Sequence, residues 1–310
     1  MISYITRRLL QVIPTLLVLL TIMFFLLNIL PGDAAILSGA SRKGAGEEMI
    51  KNIRAKWGLG DPIHIRYFKY LSNLFRGNLG TSYRTHSPVS SLLANKLVAT
   101  LTLVGIAALG STILGILLGF AAGMRHGSYT DLFSMGFAIL GISVPRFWIG
   151  LMLMYLFAVI FRFLPASGFG GGGVSFYILP AVTLGIPMVS LLARTTRASV
   201  LDVVSEDYVR TARSKGLSEY FVQSKHIFRN AFLPVLTIAG LQMGTMLANT
   251  VVVEKVFSWP GLGNLIVNSI LRRDIPAVQG CILIFAVTFI FINLFVDVMY
   301  AYLDPRIRYD

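Results

Sequence analysis

Residues 205–234 read SEDYVRTARSKGLSEYFVQSKHIFRNAFLP, a polar, basic stretch set between two long apolar segments. Its reactive-looking side chains are Glu206, Asp207, Tyr208, Arg210, Thr211, Arg213, Lys215, His226, Arg229 and Asn230. These types suit ion pairing and hydrogen bonding to another surface. No serine–histidine–acid set is suggested by their positions. The pattern predicts two short helices. Ser205 is placed to cap the first, and Glu206 and Asp207 put negative charge at its positive end. Arg210, Arg213 and Lys215 load the later turns, and Gly216 ends it. Ser218 is placed to cap the second, which runs toward Asn230 and is expected to break at Pro234. Tyr208, Ala212 and Gly216 are four apart and share a face. That face tapers from an aromatic to almost nothing, which suits docking into a groove on another protein. A basic loop lying on anionic lipid would explain the arginines, but not the caps or the small-residue stripe.

Other chemistries find little support. There is no GxxxxGK[ST] phosphate loop, so ATP hydrolysis is not expected of this chain. His64, His86, His126 and His226 are scattered, without metal-site spacing. Cys281 is the lone cysteine, inside an apolar run, with no partner for a disulfide. Apolar segments lack the series of carboxylates that a proton relay needs. Asp297 is the main exception and is read as a packing or helix-end residue. Arg146, in Ser143-Val144-Pro145-Arg146-Phe147-Trp148, lies inside an apolar segment. An intramembrane arginine costs roughly 2.5–3.5 kcal/mol on insertion scales, so it faces a cavity or a partner. The expectation is that Arg146 lines or gates a pathway; the alternative is that it snorkels or pairs with a partner subunit. Ser143, Pro145, Trp148 and Glu254 complete the candidate pathway set.

The elements that must position these residues are membrane helices. The chain has 310 residues, 55% hydrophobic and only 13% charged, with a mean hydropathy of +0.73. A soluble domain carries nearly twice that charge. Apolar runs at about 9–29, 98–123, 132–163, 178–199, 232–254 and 277–302 reach the length a bilayer crossing needs. The fold class is therefore all-α, a polytopic membrane protein with six transmembrane helices. The first apolar run is too long for a cleavable signal and is read as an uncleaved span. The third is too long for a perpendicular crossing, and Pro145 should bend it. Gly115 and Gly119 in the second stand at GxxxG spacing, read as close packing within the bundle in preference to a dimer motif.

The net charge of +13 does not indicate nucleic acid, because the cations flank apolar segments where lipid headgroups sit. Arg7, Arg8, Arg125, the 194–229 cations, Arg306 and Arg308 fall on one side if the spans alternate. The positive-inside rule makes that side cytoplasmic, with both termini there. The chain then divides into a first span (1–30), an extracytoplasmic region with short helices (31–96) and a five-helix core (97–310) carrying the cytoplasmic loop 200–231. Within the outer region, short helices are expected from Glu47 to Trp57 and from Asp61-Pro62 through Phe75. Ser87-Pro88 marks the start of a helix running into the second span.

The 205–234 stretch resembles the coupling loop of bacterial ABC importer permeases of the dipeptide, oligopeptide, glutathione and nickel group. The pattern there is close to E-D-Y-x-R-T-A-R-A-K-G-L, then H-x-x-R-N-A and a proline. Here it is carried by Glu206, Asp207, Tyr208, Arg210, Thr211, Ala212, Arg213, Lys215, Gly216, Leu217, His226, Arg229, Asn230, Ala231 and Pro234, with Ser214 where alanine is common. The resemblance continues through Val253–Gly263, Arg272–Gln279, Asp304–Tyr309, Pro31-Gly32-Asp33, Gly77–Gly80 and Ser143-Val144-Pro145. Arg146 departs from it, standing where a smaller apolar residue is expected.

The resemblance implies a type I ABC importer permease-like fold in the bacterial inner membrane. It implies a second homologous permease subunit, two cytoplasmic ATP-binding subunits, an extracytoplasmic substrate-binding protein and lipid as partners. ATP and Mg would be used by the ATPases, with no cofactor bound by this chain. The 205–217 helix would sit in a cleft of one ATPase, and Trp259, Pro260 and Gly261 would lie where the binding protein docks. The alternative for that turn is a tight loop with no docking role. Small peptides are the expected cargo, with nickel or a metal chelate as the alternative. An ion-gradient carrier is a competing class, but no repeat between the halves supports it.

Overall fold

A computed structural model describes residues 2–29, 51 and 60–303, with side chains described over 10–29, 51 and 60–298. The expected helix at 47–57 and the terminal Asp304–Tyr309 match lie outside the described residues. Besides a π-type segment at Tyr155–Ile160 and a single short turn at Gly170–Gly172, ten helices follow in order among the described residues. They are α1 (Ile2–Ile29), α2 (Ile63–Phe75), α3 (Val89–Met124), α4 (Tyr129–Ser143), α5 (Arg146–Met154), α6 (Val174–Val204), α7 (Asp207–Ser214), α8 (Glu219–Val256), α9 (Leu262–Leu271) and α10 (Ile275–Leu303). Among the described residues, five helices are long and apolar enough to cross a membrane, and α4 with the helical run Arg146–Ile160 makes a sixth crossing if the bent halves count as one.

The chain divides into two compact units. The first comprises residues 1–100 and 260–291. In it, Tyr67 and Tyr70 of α2 lie on Phe24 of α1, at ring-centroid distances of 5.3 and 5.5 Å. The Tyr67 hydroxyl meets that of Thr21 at 2.7 Å, and Arg66 donates to Asn28 Oδ1. Residues 80–89 form a tight loop, with Val89 N donating to Gly80 O at 3.0 Å and Ser82 N to Ser87 O at 3.0 Å. Asp274 fastens that loop: it accepts from Ser82 Oγ, and from Tyr83 N at 2.9 Å. Burial first, and the Asp274 carboxylate second, push the Tyr83 hydroxyl up to about 12 against the opposing charge of Arg66, so it stays protonated at physiological pH. Val89, Leu93, Leu262 and Cys281 form a buried cluster here, consistent with Cys281 as a small core residue.

Two expectations are corrected in this unit. Ser87 does not cap α3; its hydroxyl donates to Thr85 O at 3.3 Å, and Pro88 O accepts the first-turn bond from Leu92. The apolar helix α9 was not anticipated, because ten residues are too few for a span and the Trp-Pro-Gly sequence reads as a loop.

The second unit comprises residues 101–259 and 292–310. Its centre is α6, with buried Leu184, Met188, Leu192, Ala193 and Val200. Glycines bring its neighbours close. A methyl added at Gly115 would lie 2.7 Å from Leu192 Cβ, and at Gly123 2.7 Å from Val200 Cβ. One at Gly119 would strike Ala193 O and Thr196 Cβ. The small-residue stripe of α3 is thus an intramolecular seat for α6, because only hydrogen side chains let the backbones approach so closely. On another side, Gly141 of α4 meets Ser190 and Ile186, and Gly150 of α5 meets the Phe257 ring.

Two helix boundaries differ from expectation. Pro234 does not break the second helix; it lies inside α8, which runs from Glu219 to Val256 with a wider π-type segment at Val222–Phe228. A proline removes one donor, and a membrane helix tolerates that loss where neighbours re-satisfy the backbone. The 132–163 apolar run bends at Pro145 as expected, but so sharply that it forms two helices meeting at 109°. Proline drives the preceding residue out of the helical region. Val144 accordingly adopts φ −87°, ψ 131°, and Pro145 begins the next helix.

Candidate coupling site

The stretch following α6 folds back on its own chain. The Ser205 hydroxyl donates to Asp202 O at 2.8 Å, closing α6, and Glu206 takes the N-cap position of α7 without a side-chain cap bond. Ser205 is therefore not the cap of α7. The C-terminal stop is as the sequence predicts: Gly216 adopts φ +73°, and its N–H reaches Arg213 O at 3.0 Å. Ser218 occupies the N-cap of the next helix, again without a side-chain cap bond. What ties the two helices instead is Arg213, whose Nε and Nη2 donate to the two Glu219 carboxylate oxygens at 3.2 and 2.9 Å. The Asp207–Arg210 pair, 3.6 Å apart on almost fully exposed side chains, contributes little.

The inward face of α7 consists of Val209 and Ala212. They are buried with Val200, Val222, Ile227 and Ala231, under partly buried Phe120, Met124, Val203 and Val204. Complete burial of a valine side chain contributes about 1.5–3 kcal/mol. Ala212 thus belongs to the chain's own core, and the Tyr208–Ala212–Gly216 stripe is not an open docking face. Tyr208 is 41% exposed, and its hydroxyl accepts from Asn230 Nδ2 at 3.1 Å. Asn230 Nδ2 also donates to His226 O at 2.8 Å, so these residues brace the hairpin. The faces left to solvent carry Glu206, Asp207, Arg210, Thr211 and Lys215 before the Gly216 turn and Leu217 and Tyr220 after it, with Arg229 exposed on α8. Tyr220 is 83% exposed, a large aromatic left uncovered among the described residues.

The other candidates do not form one surface. Ser143, Pro145 and Trp148 are exposed at the α4–α5 break. Arg146 is half-buried as the first residue of α5, and its Nε is buried without a hydrogen-bond partner among the described residues. Glu254 is fully buried in α8 and shares no exposed face with them. Trp259 is fully enclosed, edge-on to Phe169 at 5.0 Å and Tyr177 at 4.6 Å. Its side chain is a packing anchor and offers nothing to a docking protein; Gly261, also buried, is the N-cap of α9. The docking role of Trp259 is implied by the family resemblance alone; its aromatic partners Phe169 and Tyr177 lie about 80–90 residues away in sequence, where no local pattern shows them.

One cluster escaped sequence reasoning. Asp131, 5% exposed in the first turn of α4, accepts Arg197 Nε at 2.5 Å and Arg197 Nη2 at 2.9 Å. Gly127 N donates to the same carboxylate at 3.0 Å, and His126 Nδ1 lies 3.1 Å from it. Ser128-Tyr-Thr-Asp131 carried a capping signal, and Ser128 does cap α4. Nothing local in the sequence pairs Asp131 with Arg197, 66 residues away.

The described residues thus combine helices of membrane-crossing length, one of them broken, with a charged hairpin packed on the core of the second unit. Two solved structures share the fold. An amino acid ABC transporter crystallised with histidines aligns with a TM-score of 0.55 at 18% identity, over 69% of this chain and 94% of that one. The inward-facing MetNI methionine ABC transporter aligns with a TM-score of 0.55 at 14% identity, over 69% and 97%.

The chain belongs to the family of binding-protein-dependent transport system inner membrane components. Residues 115–309 match that family's model, and residues 1–104 match the model of its N-terminal region. It is 42% identical over 309 residues, spanning 100% of both chains, to the glutathione transport system permease protein GsiC of Salmonella paratyphi A. It is therefore a multi-pass inner membrane permease subunit of an ABC importer.

Proposed function

We propose that this permease forms half of a translocation pathway for small peptides of the glutathione type. A second homologous permease supplies the other half, and two cytoplasmic ATP-binding subunits supply the work. An extracytoplasmic binding protein delivers the cargo. This chain binds neither ATP nor Mg and does not hydrolyse ATP. Its termini and the 200–231 loop face the cytoplasm, as the distribution of cations in the short loops favours.

The observation that carries the coupling role is the two-faced build of α7. Val209 and Ala212 root it in the bundle, while Arg210, Thr211 and Lys215 project outward. A helix so held transmits a push instead of absorbing it. Arg210, Thr211, Lys215 and Gly216, with Glu206 and Asp207, form the surface offered to an ATPase cleft. Tyr208, Ala212, Arg213, His226, Arg229 and Asn230 hold that surface in place or flank it. The cargo assignment is supported by full-length similarity to permeases named for glutathione transport.

The test is reconstitution of the permease pair, ATPases and cognate binding protein in vesicles. Labelled glutathione should enter only with ATP and with the ATPases present, and a single cysteine at Thr211 should cross-link to an ATPase subunit. Uptake driven by an ion gradient without the ATPases would overturn the reading. Competition by a nickel chelate but not by peptides would reassign the cargo alone.

A further inference from the structure

Asp131 and Arg197 make a side-on, two-pronged pair between the first turn of α4 and α6, seven residues before α6 ends. Such fork-shaped pairs fix orientation as well as distance. The carboxylate is almost completely enclosed, and two further groups from the α3–α4 turn, Gly127 N and His126 Nδ1, reach one of its oxygens. The Arg197 side chain is 23% exposed, and its Nη2 also lies 3.1 Å from His126 Nδ1. About ten residues further along α4, Gly141 presses on Ser190 and Ile186 of the same α6. Helix α4 therefore touches α6 at two points roughly 15 Å apart along its axis, by the helical rise. Two contacts, one of them directional, leave little freedom for α4 to tilt against α6. Helix α6 in turn leads within three residues into α7. At its other end α4 stops at Val144–Pro145, where the chain turns through 109° and the backbone bonds of the helix are interrupted.

We propose that Asp131 and Arg197 are positioning residues that lock α4 to α6. Displacement of α7 then moves both helices together and is released as a change of angle at the Val144–Pro145 break. The inference rests on the coupling role assigned to α7, and adds the route by which that motion reaches the broken crossing. An ion pair serves here because it tolerates the enclosed polar site only while both partners are held.

The complete reconstituted transporter tests it, by the number of ATP molecules hydrolysed per glutathione imported. Asp131→Asn and Arg197→Gln should keep ATPase activity while this ratio rises about fivefold or more, the scale of a lost coupling energy. Arg197→Lys, which keeps the charge and loses the fork, should give an intermediate rise. The exchange Asp131→Arg with Arg197→Asp should lower the ratio relative to either single variant. Unchanged ratios in Arg197→Gln and Arg197→Lys overturn the proposal. So does failure of even Arg197→Lys to assemble, which would make the pair a folding contact alone. A wild-type complex without ATP-driven uptake would instead sink the functional reading, and the proposal with it, whereas normal wild-type uptake with unchanged ratios in the variants would sink the proposal alone.

Discussion

Glycine serves two separate purposes in this chain, and substitutions separate them. Gly119 sits where a methyl group would strike Ala193 O and Thr196 Cβ of α6. Gly119→Ala should cost about 1–3 kcal/mol, because one helix must move off the other; thermal unfolding of the purified permease in detergent would read this as a lowered midpoint. Gly216 has open space around it but φ +73°. Gly216→Val should cost about 1–2 kcal/mol locally, since left-handed backbone penalises a β-carbon, whereas Gly216→Asn should be nearly neutral. Global stability should barely change in either. The valine variant should uncouple ATP turnover from uptake, and normal uptake would count against the coupling role of the turn. Arg146 is the third residue to test. Its buried Nε has no partner among the described residues, so the pathway reading expects Arg146→Ala to change transport rate or cargo range. A variant indistinguishable from wild type in both would return Arg146 to lipid or a partner subunit.

Among the elements, α7 is the one whose stability is almost wholly tertiary. Eight residues are too few to hold a helix in water. Val209 and Ala212, set into the pocket formed by Val200, Val222, Ile227 and Ala231, do the holding. Val209→Asp places a carboxylate at a fully buried position and should detach α7 while the membrane helices remain inserted. The expected reading is loss of the Thr211 cross-link to the ATPase, with the permease still extracted at normal yield. The exposed Asp207→Asn should do far less, because its pair with Arg210 is solvated on both sides. Helices α4 and α5 show the opposite balance. Each is short, and the break between them is written locally, in the proline that follows Val144.

For the whole molecule, hydropathy alone settled the class of protein, because a bilayer demands long apolar runs whatever their neighbours do. All five long spans were legible this way, and the broken one was legible as a single apolar run with a bend at Pro145. So were the Gly216 stop, the close-packing role of Gly115 and Gly119, and the family, through Glu206–Leu217 and His226–Pro234. Each is either local in sequence or imposed by the solvent. The contacts that decide what those residues do lie far apart along the chain. Ala212 turned out to be core because Ile227 and Val200 cover it, Trp259 became an anchor because Phe169 and Tyr177 enclose it, and Asp131 found Arg197 across 66 residues. Periodicity assigns a face to a side chain, but only packing says whether that face meets the chain itself or a partner. The sequence by itself determined that this is a membrane permease with a charged hairpin. Which side chains of the hairpin are free to engage, and which are rooted in the chain's own core, were decided by tertiary structure, because burial depends on residues that no local pattern brings together.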